Sequence, residues 1–208
     1  TAYDLLTGAS VWSHSDETHY GTTIAGEGPR ANPTVVSNRV YTLGGNGLLN
    51  ALDLQTGAKI WSKDLPKEHS TKTPDWGYSG APLVYNGAVI VNPGGADHQS
   101  VVAYAATEGN RLWASGTEYG GYSSPTVLTI AATPQIIVFN SHHVEAYNTN
   151  GATLWTHPWP ATHPHITIPI PISSNQLLVS SGYGYGSELI EITSTNSTWK
   201  AEIGRAHV

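Results

Sequence analysis

The stretch Ala51 to Trp61, "ALDLQTGAKIW", decides how this chain folds, because the chain repeats it. "AYDLLTGASVW" (Ala2 to Trp12), "AYAATEGNRLW" (Ala103 to Trp113) and "AYNTNGATLW" (Ala146 to Trp155) each open with Ala and place Gly four residues before Trp. With Trp199 added, the tryptophans Trp12, Trp61, Trp113, Trp155 and Trp199 follow one another at gaps of 49, 52, 42 and 44 residues. A period of roughly 40–50 residues is the mark of a radial repeat protein, in which one supersecondary unit stacks on the next.

Within the repeat, the local chemistry specifies a hairpin turn. Gly57 can take the positive φ that closes a tight turn, and the Asp53 carboxylate is placed to accept amide hydrogens two or three residues on. Asp4 and Asn148 can do the same, whereas Ala105 cannot, which predicts a looser turn there. The last unit departs further, with Thr195 in the place of Gly and Leu189 in the place of Ala. Trp at the end of the outer strand suits a structural role: each blade must bury one face on its neighbour, and an indole fills roughly 150–250 Å² of that interface.

A second landmark completes the unit. Pro33, Pro82, Pro125 and Pro169 stand 28, 31, 30 and 30 residues before the next repeat tryptophan, and each opens a short apolar run: "PTVV", "PLVY", "PTVL", "PIPI". Further runs follow ("RVYTLG", "GAVIVN", "QIIVFN", "QLLVSSG"), then the Ala-led strand, then the strand that ends at Trp. Four short strands per unit with turns between them describe a propeller blade, essentially free of helix. Pro at the first position of the inner strand removes no interior ladder donor.

Composition agrees. Gly (22) and Pro (13) are plentiful while only 12% of residues are charged, a profile of short strands and turns rather than amphipathic helices. The nine Lys and Arg residues are scattered and the net charge is −6, so the concentrated positive face that nucleic acid requires is absent. No apolar run reaches the ~18–20 residues of a membrane span. The absence of Cys removes disulfides and thiolate metal sites, and is compatible with an oxidising compartment.

The pattern Ala-x-Asp-x-x-Thr-Gly-x-x-x-Trp, matched at every position by Ala51–Trp61, resembles the repeat of the PQQ-like (pyrroloquinoline-quinone-like) β-propellers. The resemblance runs from residue 1 to about 200, in four good copies and one weak one. It implies an all-β fold of four-stranded antiparallel blades, here about four blades of a ring that closes with seven or eight. The Gly-His and Trp-Asp pairs of the WD type do not occur in register. One branch of the family comprises quinoprotein alcohol dehydrogenases, which hold PQQ and Ca²⁺ on the propeller axis. The other is non-catalytic and includes the outer-membrane barrel-assembly lipoprotein, whose loops contact proteins. The dehydrogenase branch commonly carries a vicinal Cys pair and Glu, Asn and Asp calcium ligands. This chain has no Cys and matches none of those ligand motifs, so no catalytic residue carries over.

The expected organisation is an outer-strand remnant of a preceding blade at 1–12, followed by blades at 13–61, 62–113, 114–155 and 156–201. Glu202 to Val208, "EIGRAHV", resembles the translation of a sequencing adapter, so 202–208 are expected to be non-native and Arg205 and His207 carry no functional weight. An incomplete ring is expected to leave blade faces and strand edges uncovered, favouring association.

In such a blade, the loops joining successive blades gather on the face opposite the Asp/Gly turns, where binding residues concentrate. Just before the strand-opening prolines they carry Arg30, then Trp76 and Tyr78, then Tyr122, and in the last loop His163 and His165. These residues, Arg30, Trp76, Tyr78, Tyr122 and His165 above all, are the candidate ligand-binding set at the channel mouth; the plainer reading is that they plug the channel by packing. Other motifs rank lower. "HPWPATHPH", with His157, His163 and His165, has imidazoles but no nearby carboxylate for a metal site. "LGGNG" (Leu43 to Gly47) and "SGYGYG" (Ser181 to Gly186) precede strands, so they read as hairpin turns and not phosphate cradles. Asp97 and His98 are adjacent but lack a nucleophile or orienting partner.

Function reads as a non-catalytic, exported binding or scaffold propeller with a protein or peptide partner and no cofactor. The alternative is a piece of a quinoprotein alcohol dehydrogenase-like oxidoreductase, which would require PQQ and calcium. The resemblance places either in the periplasm or otherwise outside the cytoplasm.

Overall fold

The computed structural model describes residues 1–23, 26–95, 99–159, 167–182, 184–195 and 198–203. The chain opens with two strands, β1 (Ala2–Tyr3) and β2 (Ser10–Trp12), that pair with each other, and a small hairpin follows, β3 (Gly21–Thr22) with β4 (Gly26–Glu27). Four antiparallel sheets of four strands come next. The first blade is β5 (Thr34–Val36), β6 (Arg39–Leu43), β7 (Leu48–Asp53) and β8 (Lys59–Asp64). After a short helix, α1 (Leu65–His69), the second is β9 (Leu83–Tyr85), β10 (Ala88–Val91), β11 (Val101–Ala105) and β12 (Arg111–Ser115). The third is β13 (Thr126–Ile130), β14 (Thr133–Phe139), β15 (His143–Tyr147) and β16 (Thr153–Pro158). The fourth is β17 (Ile170–Ser173), β18 (Gln176–Ser181), β19 (Gly186–Thr195) and β20 (Thr198–Ile203). In each sheet sequential strands are neighbours, so every blade is an up-and-down meander.

The core lies between blades. Tyr41, Leu43, Leu49, Ala51 and Trp61 of the first blade bury against Val89, Val91, Val102 and Tyr104 of the second. The opposite face of the second blade (Ala88, Ile90, Val101, Ala103) packs on Ile136, Val138 and Tyr147 of the third. The third presents Ile137, Phe139, Val144, Ala146 and Trp155 to Leu177, Val179, Ile190 and Ile192 of the fourth. Successive residues of one strand thus serve opposite neighbours, as the two-residue pleat requires.

The repeat motif turns out to be a docking device between blades. Trp12 lies on Gly57, Trp61 on Gly109 and Trp113 on Gly151, so closely that a Cβ on these glycines would come within 2.4, 2.8 and 2.6 Å of the ring. Each indole N–H donates to a carbonyl of the same turn, at Leu54 (2.9 Å), Ala106 (3.1 Å) and Thr149 (3.1 Å). Glycine is therefore required twice over: its φ is +71° at Gly57, and the neighbouring blade's tryptophan occupies the space of a side chain. The motif's Ala faces the Trp of its own blade across a bulge, as in Ala51↔Trp61, Ala103↔Trp113 and Ala146↔Trp155.

Three sequence expectations are corrected. The turn containing Ala105 is not looser: Gly109 N–H donates to Ala105 O at 2.8 Å, against 2.9 Å for Gly57 to Asp53 O. The Asx bonds are present where Asp53 accepts from Gln55 N (3.0 Å) and Thr56 N (2.9 Å), but backbone closure and the docked Trp61 suffice without them. The Thr56 hydroxyl, followed by its amide, also holds the Asp53 carboxyl below its ordinary pKa. In the fourth blade the residue opposite Trp199 is Ser194, not Leu189, because β19 is ten residues long and meets β20 without a bulge. No glycine turn is offered there, and Trp155 donates instead to Gln135 Oε1 at 2.7 Å. Finally, where no helix was expected, the loop between the first and second blades contains α1, capped by Asp64, whose side chain accepts from Lys67 N at 3.2 Å, with Pro66 in the first turn. Asp-Leu-Pro-Lys-Glu is a readable helix start.

Repeat tryptophans Trp61 and Trp155 are buried, while Trp12, Trp113 and Trp199 are half-buried. Strand β20 runs through Glu202 to Ile203, which pair with Glu191 and Ile190. No helix among the described residues is long and apolar enough to cross a membrane.

Candidate functional site

The loops at the channel mouth are laced to one another. Tyr20 wedges between two glycines: a Cβ on Gly45 would approach its ring to 2.8 Å and one on Gly77 to 2.7 Å. The Tyr20 hydroxyl donates to Asp75 O at 2.8 Å, tying the loop before the first blade to the loop before the second. That second loop reaches the third: Trp76 N–H donates to the Tyr122 hydroxyl (3.3 Å) and Ser79 Oγ to Tyr122 O (2.8 Å). Ala81 N–H reaches Ser124 Oγ at 2.8 Å, and Thr167 N–H reaches Ser123 Oγ at 2.8 Å. Residues from four consecutive loops form one belt.

Of the expected binding set, the structure brings Arg30, Trp76 and Tyr122 into this belt. Arg30 stacks over Tyr20, its Cζ 5.6 Å from the ring centroid, and Nη2 donates to Gly26 O at 2.7 Å. Its Nε is a buried donor without a protein partner. Trp76 is half-buried. Burial pushes the Tyr122 hydroxyl's pKa up, the Trp76 amide opposes the rise, and the nearby Asp75 charge adds to it. A cavity of about 240 Å³ opens beside these residues, lined by Lys72, Thr73, Asp75, Tyr119 and Tyr122.

Tyr78 does not belong to the mouth surface. It is 4% exposed, packs on Gly47, and donates its hydroxyl to Pro93 O at 3.1 Å. Burial raises the pKa of its phenol strongly. The physical reason is the glycine at position 47, with φ +90°, which leaves a hole in the first blade that Tyr78, from the loop leading to the second blade, fills. His163 and His165, like Asp97 and His98, lie outside the described residues. Tyr20 was not expected: the signal for it is a pair of glycines in other loops, which no local pattern exposes.

Other buried polar groups lie away from the belt. His157 is buried and its Nε2 meets Glu188 Oε2 at 2.8 Å. His69, at the end of α1, is 3% exposed between Gln99 Oε1 (2.7 Å) and the Tyr104 hydroxyl (2.6 Å). Burial lowers its pKa, Gln99 and Glu68 oppose that, and Arg111 adds to it. Glu145 is buried and accepts from Asn140 and from the Tyr147 hydroxyl. The His157 pair bridges the third and fourth blades and His69 ties α1 to the second, while the Glu145 cluster lies within the third blade. Among the described residues no group of three His, Asp or Glu side chains is placed to hold a metal ion.

The family model described as outer membrane protein assembly factor BamB matches residues 1–207. A quinohemoprotein alcohol dehydrogenase, ADH-IIG of Pseudomonas putida, is 29% identical over 117 residues, covering 54% of this chain and 16% of that protein. Outer membrane protein assembly factor BamB of Xanthomonas campestris is 32% identical over 87 residues, covering 41% of this chain and 21% of the relative. Among solved structures, BamB from Moraxella catarrhalis superposes with a TM-score of 0.57 at 17% identity, covering 97% of this chain and 60% of that one. That likeness confirms the blade architecture; the chain spans about a fifth of the length of these curated relatives.

Proposed function

The chain belongs to the family of outer membrane protein assembly factor BamB, and we propose on that premise that it is a non-catalytic, extracytoplasmic binding propeller whose partner is a protein or peptide. The observation that carries this reading is the state of Arg30. The guanidinium that would have to receive a quinone's carboxylates is already stacked on Tyr20 and bonded to the Gly26 carbonyl. The backbone amide of Trp76, whose ring is the one on which a quinone would stack, bonds the Tyr122 hydroxyl and ties this loop to the next. These contacts support a role for the belt other than quinone binding, and among the described residues no group of three His, Asp or Glu side chains is placed to hold a metal ion. A belt of laced loops with Tyr119 73% exposed suits surface recognition better than enclosure of a small molecule. By resemblance to its relatives, the protein works in the periplasm, in the assembly of outer membrane proteins.

A second reading rests on the match to quinohemoprotein alcohol dehydrogenases, in which this chain would be one arc of a larger oxidoreductase. Titrating the complete gene product with PQQ and Ca²⁺ separates the two. The scaffold reading expects no saturable change in tryptophan fluorescence or melting temperature, and co-purification with a β-barrel assembly component under native extraction. Micromolar quinone binding that is lost in Trp76→Ala would overturn it.

A further inference from the structure

In the first and third blades one strand position carries a polar side chain that hydrogen-bonds at the blade interface, and in the second blade that position is Ala88. Strand register defines equivalent positions: Arg39 pairs with Asp53 and Tyr41 with Ala51, as Ala88 pairs with Ala105 and Ile90 with Ala103. In the first interface Arg39 Nη1, the Tyr41 hydroxyl (3.1 Å) and Trp61 Nε1 (3.1 Å) all donate to the carbonyl of Ala106. In the third, Ile137 pairs with Ala146, so Gln135 stands where Arg39 does, and its Oε1 takes Trp155 Nε1. In the second, the corresponding carbonyl is Thr149 O, and the side-chain donor it receives among the described residues is Trp113 Nε1 alone. Ala88 and Ile90 leave the rest of the slot open. The result is a solvent-open cleft of about 450 Å³ between the second and third blades, lined by Tyr85, Asn86, Ala88, Trp113, Thr149 and Asn150.

We propose that this cleft is a docking site for an arginine side chain presented by a protein partner. The occupant is argued from the first interface, where this same chain fills the equivalent slot with a guanidinium. The cleft keeps what a guanidinium uses: an under-used carbonyl at Thr149, two carboxamide oxygens at Asn86 and Asn150, and the rings of Trp113 and Tyr85 for stacking. No Lys or Arg lines it, and the chain as a whole carries a formal charge of −6, so a cation meets no repulsion from the walls. A volume at the lower end of ligand clefts suits one long side chain rather than a cofactor. An ammonium lacks the planar fork and stacks poorly, which makes lysine the discriminating control. The cleft is a different surface from the channel mouth, so the proposal stands whether or not the mouth binds.

The test uses the 208-residue chain labelled with 5-fluorotryptophan and read by fluorine NMR, the Trp113 resonance being assigned by its loss in Trp113→Phe. N-acetyl-arginine amide is expected to shift that resonance saturably, while N-acetyl-lysine amide does so at least about tenfold more weakly. Ala88→Arg and Ile90→Tyr each copy the first interface and should abolish the shift, with the Trp61 resonance in place as evidence of folding; either folded variant decides. Equal shifts from the two amides, an unchanged shift in the variants, or none at all at tens of millimolar probe would each overturn the proposal.

Discussion

Two glycines in the second blade have the same backbone conformation but different surroundings, and substituting them separates backbone strain from blade docking. Gly87 and Gly109 both have φ +74°; a Cβ on Gly87 would meet nothing within 4 Å, whereas one on Gly109 would lie 2.8 Å from Trp61 Cδ2. Gly87→Ala therefore carries only the cost of placing an L-residue in the left-handed region, about 1–2 kcal/mol. Gly109→Ala carries the same cost plus displacement of a buried indole bonded to Ala106 O and flanked by Tyr41 and Tyr104. Overpacking of that kind adds about 1–3 kcal/mol, for a total of about 2–5 kcal/mol. Urea unfolding of the two single variants, repeated in a Trp61→Ala background, forms the cycle. Trp61→Ala alone should cost about 3–5 kcal/mol, and in its presence Gly109→Ala should fall to the Gly87→Ala value, since only strain is left. If Gly109→Ala costs no more than Gly87→Ala, or if its cost is the same with and without Trp61, the indole does not dock on the turn and the account of the repeat is wrong.

Tyr78→Phe removes the buried hydroxyl that satisfies Pro93 O and should destabilise by about 1–2 kcal/mol in thermal melts; an unchanged melting temperature would return Tyr78 to the surface. His69 is held neutral by burial, so the unfolded chain binds its proton more readily than the folded one. Stability should be full above the ordinary histidine pKa of about 6.5 and fall as pH drops from there toward the lowered folded value, at a slope no steeper than about 1.4 kcal/mol per pH unit. His69→Gln should flatten that limb, and a wild-type-like pH profile in the variant would refute the assignment. Leu5 and Leu6 are 96% and 94% exposed on the first hairpin, and Ile168, Ile170 and Ile172 are exposed at the start of the fourth blade. Light scattering of the 208-residue chain should therefore show association that weakens in a Leu5→Asp, Leu6→Asp variant; a monodisperse monomer would refute it.

The repeat made the blades legible because the features that define them are local and periodic. Pro33 or Pro82 opens an inner strand, Asp53 caps a turn, Gly57 reverses the chain, and each does so through neighbours within a few residues. The docking of Trp61 was half legible: burial of the indole followed from its size, but its seat on Gly109 joins residues 48 apart and belongs to no local pattern. The candidate site fared unevenly for the same reason. Arg30, Trp76 and Tyr122 were placed on one face by counting strands, and the structure does bring them into one belt. Tyr78, only two residues from Trp76, is turned inward because Gly47 in another loop offers it a hole. Alternation between inside and outside within an irregular loop is set by what the neighbouring loop leaves open, and that information lies elsewhere in the sequence.

Periodicity also makes departures meaningful. Arg39, Ala88 and Gln135 occupy one position in three blades. Two of them supply a hydrogen bond, by different chemistry: Arg39 to the turn carbonyl of the next blade, and Gln135 to the indole of its own blade. Ala88 contributes neither, leaving Trp113 half-buried where Trp61 and Trp155 are covered. Loss of indole burial costs stability at the rate of apolar area left in water, about 25 cal/mol per Å². An arginine seated in the cleft, as proposed above, would cover the exposed part of the Trp113 indole. The middle interface is therefore where a partner's side chain would complete the packing that the chain itself supplies on either side.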